Sequence, residues 1–109
     1  MVKVTVFTEQ GAPVGFRLDG HADQGVYGED IACAGISAIA ETALLGITDV
    51  LKLDAATARE DGHVRCELSR DTAGEDLEKA AIVFNTMIAG LTSLQQAYPK
   101  SLKFSYREV

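Results

Sequence analysis

The sequence predicts an α+β fold of order ββαββαβ, a two-layer sandwich with two helices on a largely antiparallel sheet. Three observations carry this prediction. Apolar residues alternate at period two near the start and near the end of the chain. They recur at three- and four-residue spacing in two longer stretches, and Asp61-Gly62 punctuates the middle as a two-residue turn.

Val2 to Phe7 alternates and is rich in β-branched residues, which reads as the first strand. Gly11, Ala12 and Pro13 mark a turn. Val14, Phe16 and Leu18 then alternate with Gly15, Arg17 and Asp19 as a second strand, paired with the first as a hairpin. His21 to Glu29 is a polar loop containing Gly25 and Gly28. From Ile31 to about Leu51, Ile36, Ile39, Ala40, Ala43, Leu44 and Ile47 follow helical spacing, with Asp30 standing in the N-cap place. Glu41 is the only charge between Ile31 and Ile47, so this helix must be covered on more than one side. Leu53 to Ser69 forms a second hairpin around Asp61-Gly62. Thr72-Ala73-Gly74-Glu75 has the capping-box pattern. It opens a helix carrying Leu77, Ala81, Phe84, Ile88 and Leu91 on one face, which Pro99 stops. Leu102, Phe104 and Tyr106 alternate as the last strand.

The 109 residues fit one domain, taken as residues 1–109. A hydrophobic share of 47% against 24% charged is a globular balance and argues against disorder. No apolar run is expected to reach the length of a membrane span, and Met1 leads straight into Val-Lys-Val-Thr-Val rather than into a signal peptide. Cys33 and Cys66 alone do not make a disulfide framework, so the expected location is the reducing cytoplasm, without a membrane partner. Ten Lys and Arg against sixteen Asp and Glu give a net charge of −6. No basic stripe is present to neutralise phosphates, and direct nucleic-acid binding is not expected. An acidic surface suits basic protein or peptide partners, although it also serves solubility.

Cys33 is the most informative residue for chemistry. With Asp30 as cap it would lie in the first helical turn, where unpaired N–H groups and the helix dipole favour a thiolate and could receive an oxyanion. The alternative is an inert, packed cysteine. His21 opens the loop leading back to this helix and is placed to take the thiol proton; its other reading is a surface histidine. Gly25 and Gly28 suit either a flap over bound peptide or plain turn geometry. Asp30 has two readings, an N-cap or a third catalytic member that orients His21. Ser37 lies four residues after Cys33 on the same face and either contacts the site or packs on the helix surface. Cys66 alternates with Val64 and Leu68 as a core residue, and His63 is expected to be exposed. No metal-ligand spacing or phosphate loop is present, and neither metal nor cofactor is expected.

Gly20-His21-Ala22, a short loop, and then Gly28-Glu29-Asp30-Ile31-Ala32-Cys33-Ala34-Gly35-Ile36-Ser37 resemble the signature of the ribosomal-processing cysteine proteases, the Prp family. The likeness extends to total length, element order and Leu44-Leu45-Gly46 at the end of the first helix. Ala32 and Gly35 depart from the usual Val and Ala without touching the chemistry. The resemblance implies a homodimeric cysteine endopeptidase with His21 and Cys33 as its catalytic pair. Its implied partner is the precursor of a bacterial large-subunit ribosomal protein, number twenty-seven, whose N-terminal extension it removes after aromatic residues. The rival expectation is a non-catalytic ribosome-associated binding or scaffold protein.

Overall fold

A computed structural model describes residues 1–20 and 29–109, with residues 29 and 30 described by backbone alone. The elements run β1 (Val2–Glu9), β2 (Ala12–Asp19), α1 (Glu29–Leu45), β3 (Ala55–Glu60), β4 (His63–Leu68), α2 (Gly74–Ala97) and β5 (Leu102–Glu108). This is the predicted order ββαββαβ. The strands form one mixed sheet in the order β3-β4-β2-β1-β5. Every pairing is antiparallel except β1 with β5, which is parallel and in register from Val2↔Leu102 to Thr8↔Glu108.

The first hairpin turns one residue earlier than Gly11-Ala12-Pro13. Gln10 and Gly11 both take positive φ (52° and 82°), the requirement of a tight two-residue turn whose twist matches the strands, and Ala12 already belongs to β2. The Gln10 N–H donates to the Glu108 carboxylate at 2.7 Å, and the Thr8 hydroxyl donates to the same carboxylate at 2.7 Å. These two bonds hold the Glu108 carboxyl below its ordinary pKa and fasten the end of β5 to the turn.

Alternation sorts the sheet faces. Val2, Val4, Val6, Phe16, Leu18, Val64 and Cys66 point to the helices and are buried. Both helices lie on that face. α1 buries Ile36, Ala40, Ala43 and Leu44, and Ile47 follows just beyond its end; α2 buries Ala80, Phe84, Met87 and Leu91. The buried stripe of α2 is centred on Ala80 and Met87, with Leu77, Ala81 and Ile88 at its margin. Phe16 and Phe84 join the layers edge to face, with ring centroids 6.0 Å apart at 76°.

Three local expectations are corrected. α1 begins at Glu29, so Asp30 lies inside the first turn and is not its cap. At the start of α2 the capping position is Ala73, which offers no side chain; Thr72 turns its hydroxyl back to the Ser69 carbonyl at 2.6 Å, so no capping box forms. The segment Ile31–Val50, 20 residues at mean hydropathy 1.7, is long and apolar enough to cross a membrane, contrary to the reading that no run reaches that length. Here that length serves the core, with Ile36, Ala40 and Ile47 fully buried. α1 leaves its regular geometry through a π turn over Gly46–Val50, closed by Leu51 N–H to the Gly46 carbonyl at 2.9 Å. Lys52 at φ 56° then ends the helical path.

Candidate active site

One cleft gathers most of the described candidates. It lies between the first half of α1 and the turn joining β3 to β4, with a volume of about 310 Å³. Its walls include Gly20 from the end of β2, Cys33, Ser37 and Glu41 from α1, and Arg59 to Gly62 from the hairpin. Its floor is the sheet end at Val2, Leu18 and Val64. Cys33, Ser37 and Glu41 share the cleft because residues four apart repeat on one helix face. Ser37 is therefore a cleft residue as well as a helix-surface one.

The placement of Cys33 differs from expectation. It is the fifth residue of α1, one turn in, so its own N–H falls within the helix ladder and not among the first four unpaired donors. A substrate oxyanion would have to be met by N–H groups other than that of Cys33. Its thiol is half-buried at the cleft wall. Cys66 is the opposite case: fully buried on the core face of β4, its thiol is pushed up to about 12 by burial and secondarily by the Glu67 charge. Of the two thiols, only Cys33 borders open space.

Gly20, just past β2, holds a conformation that favours glycine. It adopts φ +99°, where a side chain is strained, and a Cβ there would sit 3.1 Å from the Met1 carbonyl oxygen. Its N–H donates to the Gly62 carbonyl at 2.9 Å, tying the end of β2 to the β3–β4 turn. Gly62 itself takes φ +77° in that turn. His21, Gly25 and Gly28 lie outside the described residues, as does the side chain of Asp30.

His63 is not the freely exposed residue expected from its place after the turn. Its register partner across β2 is Asp19, and its Nδ1 lies 2.7 Å from the Asp19 carboxylate. The second Asp19 oxygen accepts from Arg17 Nε at 2.9 Å. Alternation puts this trio on the sheet face away from the helices, and His63 is also among the residues bordering the cleft. The cleft residues missed by sequence reasoning are Arg59, Glu60 and Asp61, with Glu41 noted only as an interruption in an apolar helix. Among the described residues, no group of three His, Cys, Asp or Glu side chains is arranged to hold a metal ion.

The family profile described as Cysteine protease Prp matches residues 1–103. The ribosomal processing cysteine protease Prp of Staphylococcus aureus is 31% identical over 109 residues, covering 97% of each chain. Two crystal structures of an essential ribosomal processing protease Prp from S. aureus share the fold. One, in complex with a substrate peptide, has a TM-score of 0.82 at 24% identity and covers 98% of this chain and 100% of its own. The other, with a covalently linked product peptide, has a TM-score of 0.80 at 25% identity and the same coverage.

Proposed function

The chain belongs to the cysteine protease Prp family, and we propose that it removes the N-terminal extension of a large-subunit ribosomal protein, number twenty-seven, using Cys33 and His21. The observation that carries the assignment of the nucleophile is the contrast between the two thiols. Cys33 borders a 310 Å³ cleft, whereas Cys66 is sealed in the core. In the proposed reaction His21 takes the Cys33 proton, and the thiolate attacks the scissile carbonyl to give a tetrahedral oxyanion. The C–N bond breaks as His21 returns the proton to the leaving amine. Water, deprotonated by His21, then hydrolyses the thioester and frees Cys33. Asp30, in the first turn of α1, is assigned to orient His21 and support its imidazolium. A thiolate nucleophile requires reduced cysteine, which fits the cytoplasm as the place of action.

The related crystal structures hold a substrate peptide and a covalently linked product peptide, and a cleft bordered by a half-buried thiol supports the same use here. The scaffold reading has no comparable observation behind it. We also place a homodimer contact at the groove between α1 and α2. That groove, of about 530 Å³, is lined by Ile39, Val83 and Met87, with Ile82 left 69% exposed at its rim. The deciding experiment is incubation of the purified precursor with the unaltered chain, Cys33→Ala and His21→Ala, read by mass spectrometry. Cleavage at one site by the unaltered chain alone is expected; cleavage by folded Cys33→Ala would overturn the assignment.

A further inference from the structure

Glu41 stands out in the cleft. It is the only charge between Ile31 and Ile47, on a helix that otherwise presents small and apolar residues to its neighbours. It is half-buried, and it shares the cleft face of α1 with Cys33 and Ser37. Among the described residues no side chain pairs with it: the ion pairs are Arg17–Asp19, His63–Asp19, Arg65–Glu67 and Lys79–Glu75. Arg59 borders the same cleft from β3 without reaching it. The described charges of the cleft are thus three carboxylates, Glu41, Glu60 and Asp61, against one guanidinium. A partly desolvated carboxylate without a partner gains when a cation enters beside it.

We propose that Glu41 is a specificity-determining residue that accepts a cationic side chain of the peptide three to four residues from the scissile bond. The inference rests on the peptidase reading above. The spacing follows from geometry. Glu41 lies eight residues beyond Cys33, and at a rise of about 1.5 Å per residue that is ~12 Å along the helix. An extended peptide advances about 3.3 Å per residue, so a chain lying along α1 from Cys33 reaches Glu41 with its third or fourth residue.

The test uses two pairs of peptides that span the precursor junction, one pair differing only in Lys or Glu at the third and fourth positions after the cut, the other only at the third and fourth positions before it. The unaltered chain is expected to prefer the Lys peptide of one pair by about tenfold in kcat/KM, mainly through KM and less so at raised salt. Glu41→Gln, matched in helix propensity, should bring the ratio to within about twofold, and Glu41→Lys should invert it. Thermal melts identify any variant that fails to fold, and Glu41→Gln decides if Glu41→Lys does. An unchanged preference in folded Glu41→Gln would overturn the role of Glu41 and leave the peptidase reading intact. Cleavage of none of the peptides by the unaltered chain would overturn both.

Discussion

Alkylation should separate the two cysteines by a margin the structure sets. At pH 8 an ordinary thiol of pKa about 8.5 is roughly one-quarter thiolate. Cys66, pushed up to about 12, is ionised in about one molecule in ten thousand. That ratio is about 2,400-fold. A more basic thiolate is a better nucleophile, and with a Brønsted slope near 0.45 this returns about 40-fold. The net handicap from ionisation is therefore about sixtyfold. Burial adds to it, since the Cys66 side chain has no solvent access and reagent must wait for an opening of the core. The assay is timed labelling with iodoacetamide at pH 8, followed by peptide mass spectrometry, with a parallel reaction in guanidinium. Cys33 should label first and Cys66 at least sixtyfold more slowly than an ordinary thiol, with the protection lost in denaturant. Labelling of Cys66 at a rate within a few-fold of Cys33 in the folded protein would refute the reasoning.

The same raised pKa makes stability depend on pH. The stabilising contribution of neutral Cys66 is present below about pH 9 and is lost toward pH 12, with a slope of about 1.4 kcal/mol per unit between them. Denaturant melts of Cys66→Ala should start lower through a small cavity and lack that component of the slope. Gly20→Ala should cost about 1–3 kcal/mol, because Gly20 combines φ +99° with a carbonyl 3.1 Å from the added Cβ, and peptidase activity should fall with it. A melt within 0.5 kcal/mol of the unaltered chain, on the order expected for a neutral surface change, would count against strain at this position. Phe84→Ala removes the ring that meets Phe16 across the layers and should cost about 3–5 kcal/mol by denaturant titration. The unaltered chain should run at twice its monomer mass in solution and Ile82→Glu at the monomer mass; a monomer mass for the unaltered chain would count against the proposed dimer, and a dimer mass for Ile82→Glu against its placement at this groove.

The strands and helices were legible because period two and period 3.6 are written directly in the apolar residues, and Asp61-Gly62 marked its hairpin correctly. Caps were less legible. Asp30 and Thr72 are good capping types, but Asp30 lies inside the first turn of α1 and Thr72 one residue before the capping position Ala73 of α2, and such small offsets do not disturb the apolar pattern that signals a helix. The Gln10-Gly11 turn was obscured by Pro13, a turn-former that here sits within β2. Cys33 and Ser37 could be placed on one helix face from spacing alone. Arg59 to Asp61 could not be joined to them, since that proximity arises only when α1 lies over the β3–β4 end of the sheet. The His63–Asp19 pair is a register effect: it requires knowing that β4 borders β2, and alternation within one strand carries no information about its neighbour.

The parallel pairing of β1 with β5 has a consequence for biosynthesis. Val2 pairs with Leu102, so the first strand made must wait for one a hundred residues later before its second edge is closed. Until then a nascent chain carrying β1 to α2 exposes an open row of backbone donors and acceptors beside Val2, Val4 and Val6, the kind of edge that recruits other chains. The bonds from Thr8 and Gln10 to Glu108 lock the far end of β5 and so belong to the final step of assembly. Chains cut short before Leu102 should therefore emerge as aggregates or chaperone clients, even though every residue bordering the cleft has already been synthesised.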